Sequence, residues 1–292
     1  MDELEKIYIP HLRAQFERGR PVLFTGAGFS MAAKNIDGRS LPSGAMLKKA
    51  LWPICFPDEE FDPDSSLQDI FDSALRRAKG KLSEVLLRTF TVAEDGIPEW
   101  YSQVFSLPWQ RAYTLNIDDL DEVVEREFNL PRGIRSNSVL KAEGGRSHSL
   151  AHLEVMHLSG SLDEVPDGVT FSPTQYAQRL ASPDPIYRRL AAELLTSPFV
   201  FIGSVLEEPT LWQSIEVRRL KGGRDQRELR PRSYLVNPTL SPAKRPLLAE
   251  FNVVWLAMTA EEFSERVLSK LGDSATEGLR FLFSPRWQLF KA

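Results

Sequence analysis

Small and hydrogen-bonding residues stand at or just beyond the ends of five apolar runs in this 292-residue chain. They are Gly26, Ala27, Gly28 and Ser30 at the first run, Asn116, Ile117 and Asp118 at the second, His157, Ser159 and Gly160 at the third, Gly203 and Ser204 at the fourth, and Asn237 at the fifth. Backbone amides at a glycine turn that begins a helix bind phosphate oxygens, and amide or carboxyl side chains hold polar groups. The set predicts a site for one extended polar ligand, such as a dinucleotide.

The apolar runs are the elements that must position these residues. They are short, rich in β-branched and aromatic residues, and bounded by Gly, Pro, Asn or Ser, as buried strands of a parallel sheet are. The six runs are residues 21–25, 111–116, 153–160, 197–204, 233–237 and 251–257. With helical segments between them, they predict an α/β fold with a Rossmann-like parallel sheet of about six strands. Ligands of such sheets bind at the carboxyl ends of the strands, where the strand order reverses.

The interval between the first two runs is far longer than one crossover helix needs. Residues 67–78 and 81–92 within it carry apolar residues at helical spacing. We therefore expect a single domain with a helical insertion at about residues 43–105 and a Rossmann-like part at about residues 1–42 and 106–292. The ending "FLFSPRWQLFKA" is apolar for a terminus, which favours the N-terminal part of a longer protein.

Composition excludes several classes of protein. The net charge of −4 gives no general attraction to nucleic acid or to an anionic membrane. The single cysteine, Cys55, allows neither an internal disulfide nor a multi-cysteine zinc site. No signal peptide or run of about 20 apolar residues is present. We expect a cytoplasmic protein without membrane or direct nucleic-acid partners; the basic segment 218–232 is either a solvated loop or a contact for phosphate or a partner protein.

Each part of the predicted site also has a structural interpretation. Gly26 and Gly28 could form a plain turn, since glycine is favoured wherever φ is positive. Asn116 and Asp118 could cap the helix predicted after them. His157, in an apolar strand, could be a core histidine whose hydrogen bonds are satisfied within the protein.

In this order and spacing the motifs resemble the sirtuin family. "GAGFS" is similar to its Gly-Ala-Gly-X-Ser motif, "TLNIDD" to its Thr-Gln-Asn-Ile-Asp motif, "FIGSVLEEPTLW" to its Gly-Thr/Tyr-Ser-Leu-X-Asp segment and "LVNP" to its later Asn-containing strand end. The resemblance covers roughly residues 15–270. In particular, it extends to the bacterial sirtuin-like domains of anti-phage defence proteins that hydrolyse NAD.

The resemblance implies a role for each position, with NAD as the substrate. The pyrophosphate would bind at Gly26, Ala27, Gly28 and Ser30, the nicotinamide ribose and the attacking water at Asn116, the carboxamide at Ile117 and Asp118, and the adenosine at Gly203, Ser204 and Asn237. The reaction would break the bond between ribose C1′ and the nicotinamide nitrogen through an oxocarbenium-like transition state.

The third strand end departs from the family pattern. Where the family has Leu-His-Gly, this chain has Leu158-Ser159-Gly160, and the nearest histidine is His157. Serine is not basic at neutral pH without an activating partner. Three interpretations follow: His157 takes the histidine's role from two residues earlier, Asn116 supports slow turnover alone, or the domain binds a nucleotide without cleaving it.

The resemblance thus implies an NAD glycohydrolase that acts in anti-phage defence by NAD depletion and releases nicotinamide and ADP-ribose. Its activity would be controlled by a protein partner or by homo-oligomerisation. The alternative is a catalytically inactive module that binds NAD or ADP-ribose as a sensor or scaffold. Lysine deacylation is disfavoured, because the four-cysteine zinc module of deacylating sirtuins cannot form. A dehydrogenase is disfavoured too, because the turn lacks the third glycine of that fingerprint.

Overall fold

Seven strands form one parallel β-sheet in the computed structural model, which describes residues 3–19, 21–138, 151–180, 184–206, 230–272 and 274–282. The strands are β1 (Val22–Thr25), β2 (Arg111–Thr114), β3 (Gly133–Ser138), β4 (His152–His157), β5 (Phe199–Ile202), β6 (Ser233–Val236) and β7 (Val253–Leu256). Their order is β3-β4-β2-β1-β5-β6-β7. The predicted Rossmann-like α/β architecture is confirmed.

The central strand β1 pairs with β2 on one side and with β5 on the other. Leu23 is in register with Ala112 and with Val200. The chain continues outward from β2 on one side and from β5 on the other, so the strand order reverses between β1 and β5. In open α/β sheets, this is the position of the ligand crevice.

Both faces of the sheet are buried. Side chains alternate along a strand, and Leu23 packs in one hydrophobic cluster whereas Val22 and Phe24 pack in a second. The first cluster includes the helical insertion, and the second includes the helix at Pro185–Thr196. Burial on both faces explains why β1 and β5, at the centre of the sheet, are almost continuously apolar.

The prediction of about six strands missed β3. Its sequence, GIRSNS, is polar, and it pairs only with β4 at the edge of the sheet. An edge strand with half-exposed side chains has no apolar run by which it could be recognised.

Most of the helices lie between these strands; the first precedes β1 and the last two follow β7. The helices are α1 (Ile9–Glu17), α2 (Ala27–Ser30), α3 (Gly44–Cys55), α4 (Leu67–Arg77), α5 (Lys79–Phe90), α6 (Trp100–Phe105), α7 (Leu120–Glu127), α8 (Pro173–Leu180), α9 (Pro185–Thr196), α10 (Lys244–Glu250), α11 (Ala260–Arg266) and α12 (Ser274–Leu282). A π-helical turn at Leu4–Tyr8 precedes α1. No helix among the described residues is both long and apolar enough to cross a membrane.

The predicted helical insertion is present between β1 and β2 as α3 to α6. Helix α3 begins where the Ser43 hydroxyl accepts a hydrogen bond from the Met46 amide, and α4 begins where Ser66 accepts one from Asp69. Such side-chain caps satisfy amides that have no partner within the helix. Residues 207–229 and 283–292, which include most of the basic segment, the end of "FIGSVLEEPTLW" and nearly all of the apolar C-terminal segment, lie outside the described residues.

Candidate functional site

The carboxyl ends of β1, β2, β5 and β6 and the turn after β4 open onto one cavity of about 1130 Å³. Ligand pockets typically measure about 300–1,000 Å³, so this volume suits a large ligand. The cavity floor is formed by the predicted residues, namely Gly26, Ala27, Gly28, Ser30, Asn116, Ile117, Asp118, Ser159, Gly203, Ser204 and Asn237. Its outer wall includes residues that the sequence did not indicate, among them Leu47, Gln68, Phe90, Trp100, Thr170, Tyr176 and Glu261. These come from the insertion, from α8 and the segment before it, and from α11, and no sequence motif marks them.

Three glycines bring the backbones after β1 and β5 into contact. The Gly28 amide donates to the Gly203 carbonyl at 2.9 Å. A Cβ on Gly203 would lie 2.1 Å from the Phe29 nitrogen, and one on Gly26 would lie 2.8 Å from the Gly203 carbonyl oxygen. Gly203 also has a φ of +66°, which L side chains rarely adopt. The contact between these two backbones therefore requires glycine.

The turn offers fewer free amides than the sequence suggested. The Gly26 amide donates to Ile202, that of Gly28 to Gly203 and that of Phe29 to Gly26. Over the described ranges, the Ala27 amide has no backbone acceptor, and Ala27 lines the cavity. Helix α2 has only four residues, so its dipole is that of a single turn. Ala27 is thus the first candidate among these amides for an anionic group.

The side chain of Asn116 is held in one orientation. Its Nδ2 donates to the Gly26 carbonyl at 3.0 Å and to the Ser30 hydroxyl at 2.7 Å. Because a carbonyl oxygen only accepts, the amide nitrogen must be on this side. The amide oxygen, Oδ1, then has no partner within the described part of the chain and is left for a group in the cavity.

The capping interpretation of this segment holds only in part. Helix α7 begins after Asp119, whose side chain makes no cap bond within the helix and instead accepts a hydrogen bond from the Val92 amide at 2.8 Å. Asp118 accepts a long bond, 3.4 Å, from the Leu120 amide. Asn116 is occupied with the β1 turn rather than with α7.

Asp118 is a buried carboxyl group in the cavity floor. Burial raises the pKa of Asp118 to about 7, although a hydrogen bond with Ser30 works in the opposite direction. Ile117, next to it, is 1% exposed and also lines the cavity. A carboxyl group that titrates near neutral pH can hold a ligand amide in a charge-dependent way.

The structure separates His157 from Ser159. Ser159 lines the cavity, whereas His157 is 3% exposed and is absent from the lining that the described residues form. Its Nδ1 lies 2.9 Å from the Asn116 carbonyl oxygen, and its Nε2 lies 3.3 Å from Asp121 Oδ1. Both ring nitrogens have partners inside the protein, which favours the interpretation of His157 as a core histidine over that of a displaced catalytic base.

Farther along the sheet, beyond β1, the hydrogen bonds of Asn237 join the end of β6 to the segment after β5 and to β7. Its Nδ2 donates to the Ser204 carbonyl at 3.2 Å, and its own carbonyl accepts from the Trp255 indole at 2.8 Å. The Ser204 hydroxyl accepts from the Leu206 amide at 3.1 Å. Gly203, Ser204 and Asn237 therefore lie together at one end of the cavity floor, on the β5–β6 side.

Within the described residues, no group of three or more His, Cys, Asp or Glu side chains is arranged to hold a metal ion. The single cysteine, Cys55, is buried, and its thiol lies 3.4 Å from the Ile70 carbonyl.

A Rossmann-like sheet with this cavity at its reversal point belongs to the class of open α/β folds whose ligands bind at the carboxyl ends of the strands. The model of the SIR2-like domain matches residues 110–256, which is half of the chain, and the chain belongs to this family. The chain is also similar to the NAD(+) hydrolase ThsA of Acinetobacter baumannii (strain 532279), with 23% identity over 228 residues. The match covers 77% of this chain and 44% of that protein, so the chain spans less than half the length of this relative.

Proposed function

We propose that this chain binds NAD in the cavity and hydrolyses it to nicotinamide and ADP-ribose. The observation that carries the proposal is that every residue to which the motifs give a binding or catalytic role, except His157, lines one cavity. Membership of the SIR2-like family and the similarity to an NAD(+) hydrolase support the same conclusion.

In this proposal NAD lies across the sheet with its two ends on opposite sides of β1. The pyrophosphate contacts the turn at residues 26–30, where the Ala27 amide has no backbone acceptor among the described residues. The adenosine lies by Ser204 and Asn237 at the β5–β6 side. The nicotinamide lies by Asp118 on the β2 side, and apolar neighbours such as Ile117 keep bulk water from the reacting bond.

The proposed reaction breaks the bond between C1′ of the ribose and the pyridinium nitrogen. The bonding electron pair moves to the nitrogen, which neutralises the pyridinium, and positive charge develops on the ribose. Water adds to C1′ and loses a proton. Oδ1 of Asn116 would accept a hydrogen bond from a ribose hydroxyl or from this water, which orients it and stabilises the growing positive charge.

The direct test is to incubate the purified protein with NAD and to measure nicotinamide by chromatography. The 292-residue chain should be tested over a range of protein concentrations, because assembly or a partner is proposed to control activity. Release of nicotinamide and ADP-ribose in equal amounts is expected. Intact NAD in every preparation would contradict the proposal.

The pH dependence of NAD binding tests the role of Asp118. If the ionised carboxylate accepts a hydrogen bond from the carboxamide, NAD should bind about tenfold more tightly at pH 8 than at pH 6, because the ionised fraction rises through the pKa of about 7. Calorimetry measures this, and Asp118→Asn should show weaker binding with no such change. Tighter binding at pH 6 would show that the neutral acid is the binding form.

A second function is supported by one feature of the cavity. Ser159 stands in the lining where the family pattern has histidine, and the nearest histidine is buried behind the lining. A module that binds NAD or ADP-ribose without cleaving it, as a sensor or scaffold, fits this arrangement. Calorimetry separates the two functions, since a sensor binds NAD and releases it unchanged.

Replacing Ser159 by histidine should raise turnover. A histidine there would place a base with a pKa near 6.5 in the cavity wall, and general bases contribute about 10²–10⁴-fold to such reactions. Ser159→Gln is the matched control, because it adds similar bulk without basicity. Equal rates for both variants and the parent would place the catalytic base elsewhere.

We extend the proposal to the cell through the resemblance to defence proteins. The chain would be the effector domain that depletes NAD during phage infection, under the control of a protein partner or of homo-oligomerisation. Measuring cellular NAD after infection, with the parent protein and with Asn116→Ala, tests this role. An equal NAD concentration in both strains would argue against it.

A further inference from the structure

A network of mostly buried, hydrogen-bonded side chains lies directly behind Asn116. This polar network consists of Ser136, Asp121 and His157. His157 and Asp121 are 3% and 5% exposed, and Asp121 also accepts a hydrogen bond from the hydroxyl of Ser136. The polar network therefore connects the edge strand β3, helix α7 and the end of β4 to the segment after β2. Buried polar groups are costly unless they are fully paired, so an arrangement of this kind holds its members in place.

The positions of the protons on the His157 ring follow from the groups that accept hydrogen bonds from it. The Asn116 carbonyl only accepts, so Nδ1 of His157 carries a proton; an ionised Asp121 likewise requires a proton on Nε2. Burial by itself disfavours the charged ring, but Asp121 and the Asn116 carbonyl outweigh it and raise the pKa of His157 to about 9. Burial also works against an ionised Asp121, but the imidazolium and Ser136 hold the pKa of Asp121 below its ordinary value.

Two other acids face this ring. Asp118, in the segment after β2, and Glu122, on α7, both interact with the charge of His157. The Asp121 carboxylate is the one that bonds to the ring nitrogen. The imidazolium is thus paired from α7 and points its other N–H at the peptide of Asn116.

Asn116 is held from three directions. Its amide N–H donates to Thr114 Oγ1 at 3.1 Å, its carbonyl accepts from His157, and its side chain is bonded to Gly26 and Ser30. With both the peptide and the amide nitrogen held, Oδ1 can point in only one direction, into the cavity.

We infer that His157 and Asp121 are positioning residues, which act on the reaction through Asn116 and do not touch the substrate. The inference rests on the proposed function and assigns His157 a role other than that of a displaced catalytic base. It gives a role to the hydrogen bond between the buried His157 and Asn116. Among the described residues, the side-chain oxygen of Asn116 has no partner and is left for a group in the cavity.

The first test replaces Asp121 by asparagine, which keeps the shape and removes the charge. We expect kcat for NAD hydrolysis to fall about 10–100-fold, because small displacements of a positioning group have effects of this size, with KM within about threefold. Asp119→Asn is the matched control: Asp119 bonds to the Val92 amide in the insertion, so kcat should stay near the parent value. Ser136→Ala removes one hydrogen bond from the polar network and is a gentler change. It should also lower kcat, and it serves as the test if Asp121→Asn folds poorly.

A double-mutant cycle shows through which residue the effect passes. In an Asn116→Ser background, Asp121→Asn should have almost no further effect on kcat, since coupled residues are not additive. Independent, multiplicative losses would overturn the inference and return His157 to a direct or purely structural role.

A measurement without turnover separates this inference from the proposed function. In protein labelled with ¹⁵N-asparagine, the Asn116 side-chain amide signals are assigned by their loss in Asn116→Ser. They should shift in Asp121→Asn and stay in place in Asp119→Asn. Unchanged signals in Asp121→Asn would overturn the positioning inference even if NAD is hydrolysed; shifted signals in a protein that never hydrolyses NAD would overturn the proposed function alone.

Discussion

Replacing Asn116 by alanine is expected to lower nicotinamide release from NAD by about 100-fold or more, with NAD affinity changed by less than about threefold. Removing one preorganised polar group that acts on the transition state costs about 10²–10³-fold in kcat. Substrate binding survives, because most contacts to NAD are made elsewhere along the cavity. Single-turnover rates and calorimetric binding on the same preparation measure the two quantities separately.

Asn237→Ala is the matched control for this substitution. It removes the same amide from the same cavity, but at the β5–β6 side, far along the sheet from Asn116. We expect it to raise KM and to leave kcat largely unchanged, since adenosine contacts contribute equally to ground state and transition state. A rate for Asn116→Ala equal to that of the parent would remove Asn116 from the proposed mechanism.

Replacing Gly203 by alanine is expected to lower the free energy of unfolding by about 2–5 kcal/mol and to abolish NAD binding. A left-handed backbone costs a non-glycine residue about 1–2 kcal/mol, and crowding in a packed interior costs about 1–3 kcal/mol more. Here the added Cβ would meet the Phe29 nitrogen at 2.1 Å, so the β1 turn must move away from β5. Urea unfolding measures the first effect and calorimetry with NAD the second.

The chain contains a control that separates backbone strain from crowding. Gly38 also has a positive φ, +73°, but a Cβ there would have no atom within 4 Å. Gly38→Ala should therefore lose only about 1–2 kcal/mol and should bind NAD normally. If both variants lose the same stability and Gly203→Ala still binds NAD, the close contact of the two turns is not needed for the site.

The apolar strands show what sequence patterns reveal. Strands β1, β2, β5 and β6 are buried at every residue, and each lies in a short run rich in apolar and aromatic residues, although β2 contains Arg111. The carboxyl end of each can therefore be located to within about two residues. Strand β3 could not be found in this way, because an edge strand is only partly buried and has no apolar run. Because Ser136 lies in β3, the sequence prediction also missed this residue, which is the member of the polar network at the edge of the sheet.

His157 shows where patterns stop. The alternation of side chains along a strand places residues 157 and 159 on the same face, but the strand ends at His157, and the turn after it breaks the alternation. Only Ser159 reaches the cavity, and His157 turns to Asp121 and the Asn116 carbonyl. A periodicity argument holds only while the strand continues.

The amino-acid sequence alone was sufficient to identify an α/β sheet, its helical insertion and the polar residues that meet at its carboxyl edge. These follow from local rules: burial dictates apolar runs, and parallel strands bring their ends to one side. Tertiary structure alone decided which amides remain free in the β1 turn, which atom of Asn116 faces the cavity and that His157 is turned away from it. These depend on contacts between residues that are far apart in the sequence, such as the bonds from Asn116 to Gly26 and from Gly28 to Gly203, and such contacts leave no periodic signal along the chain.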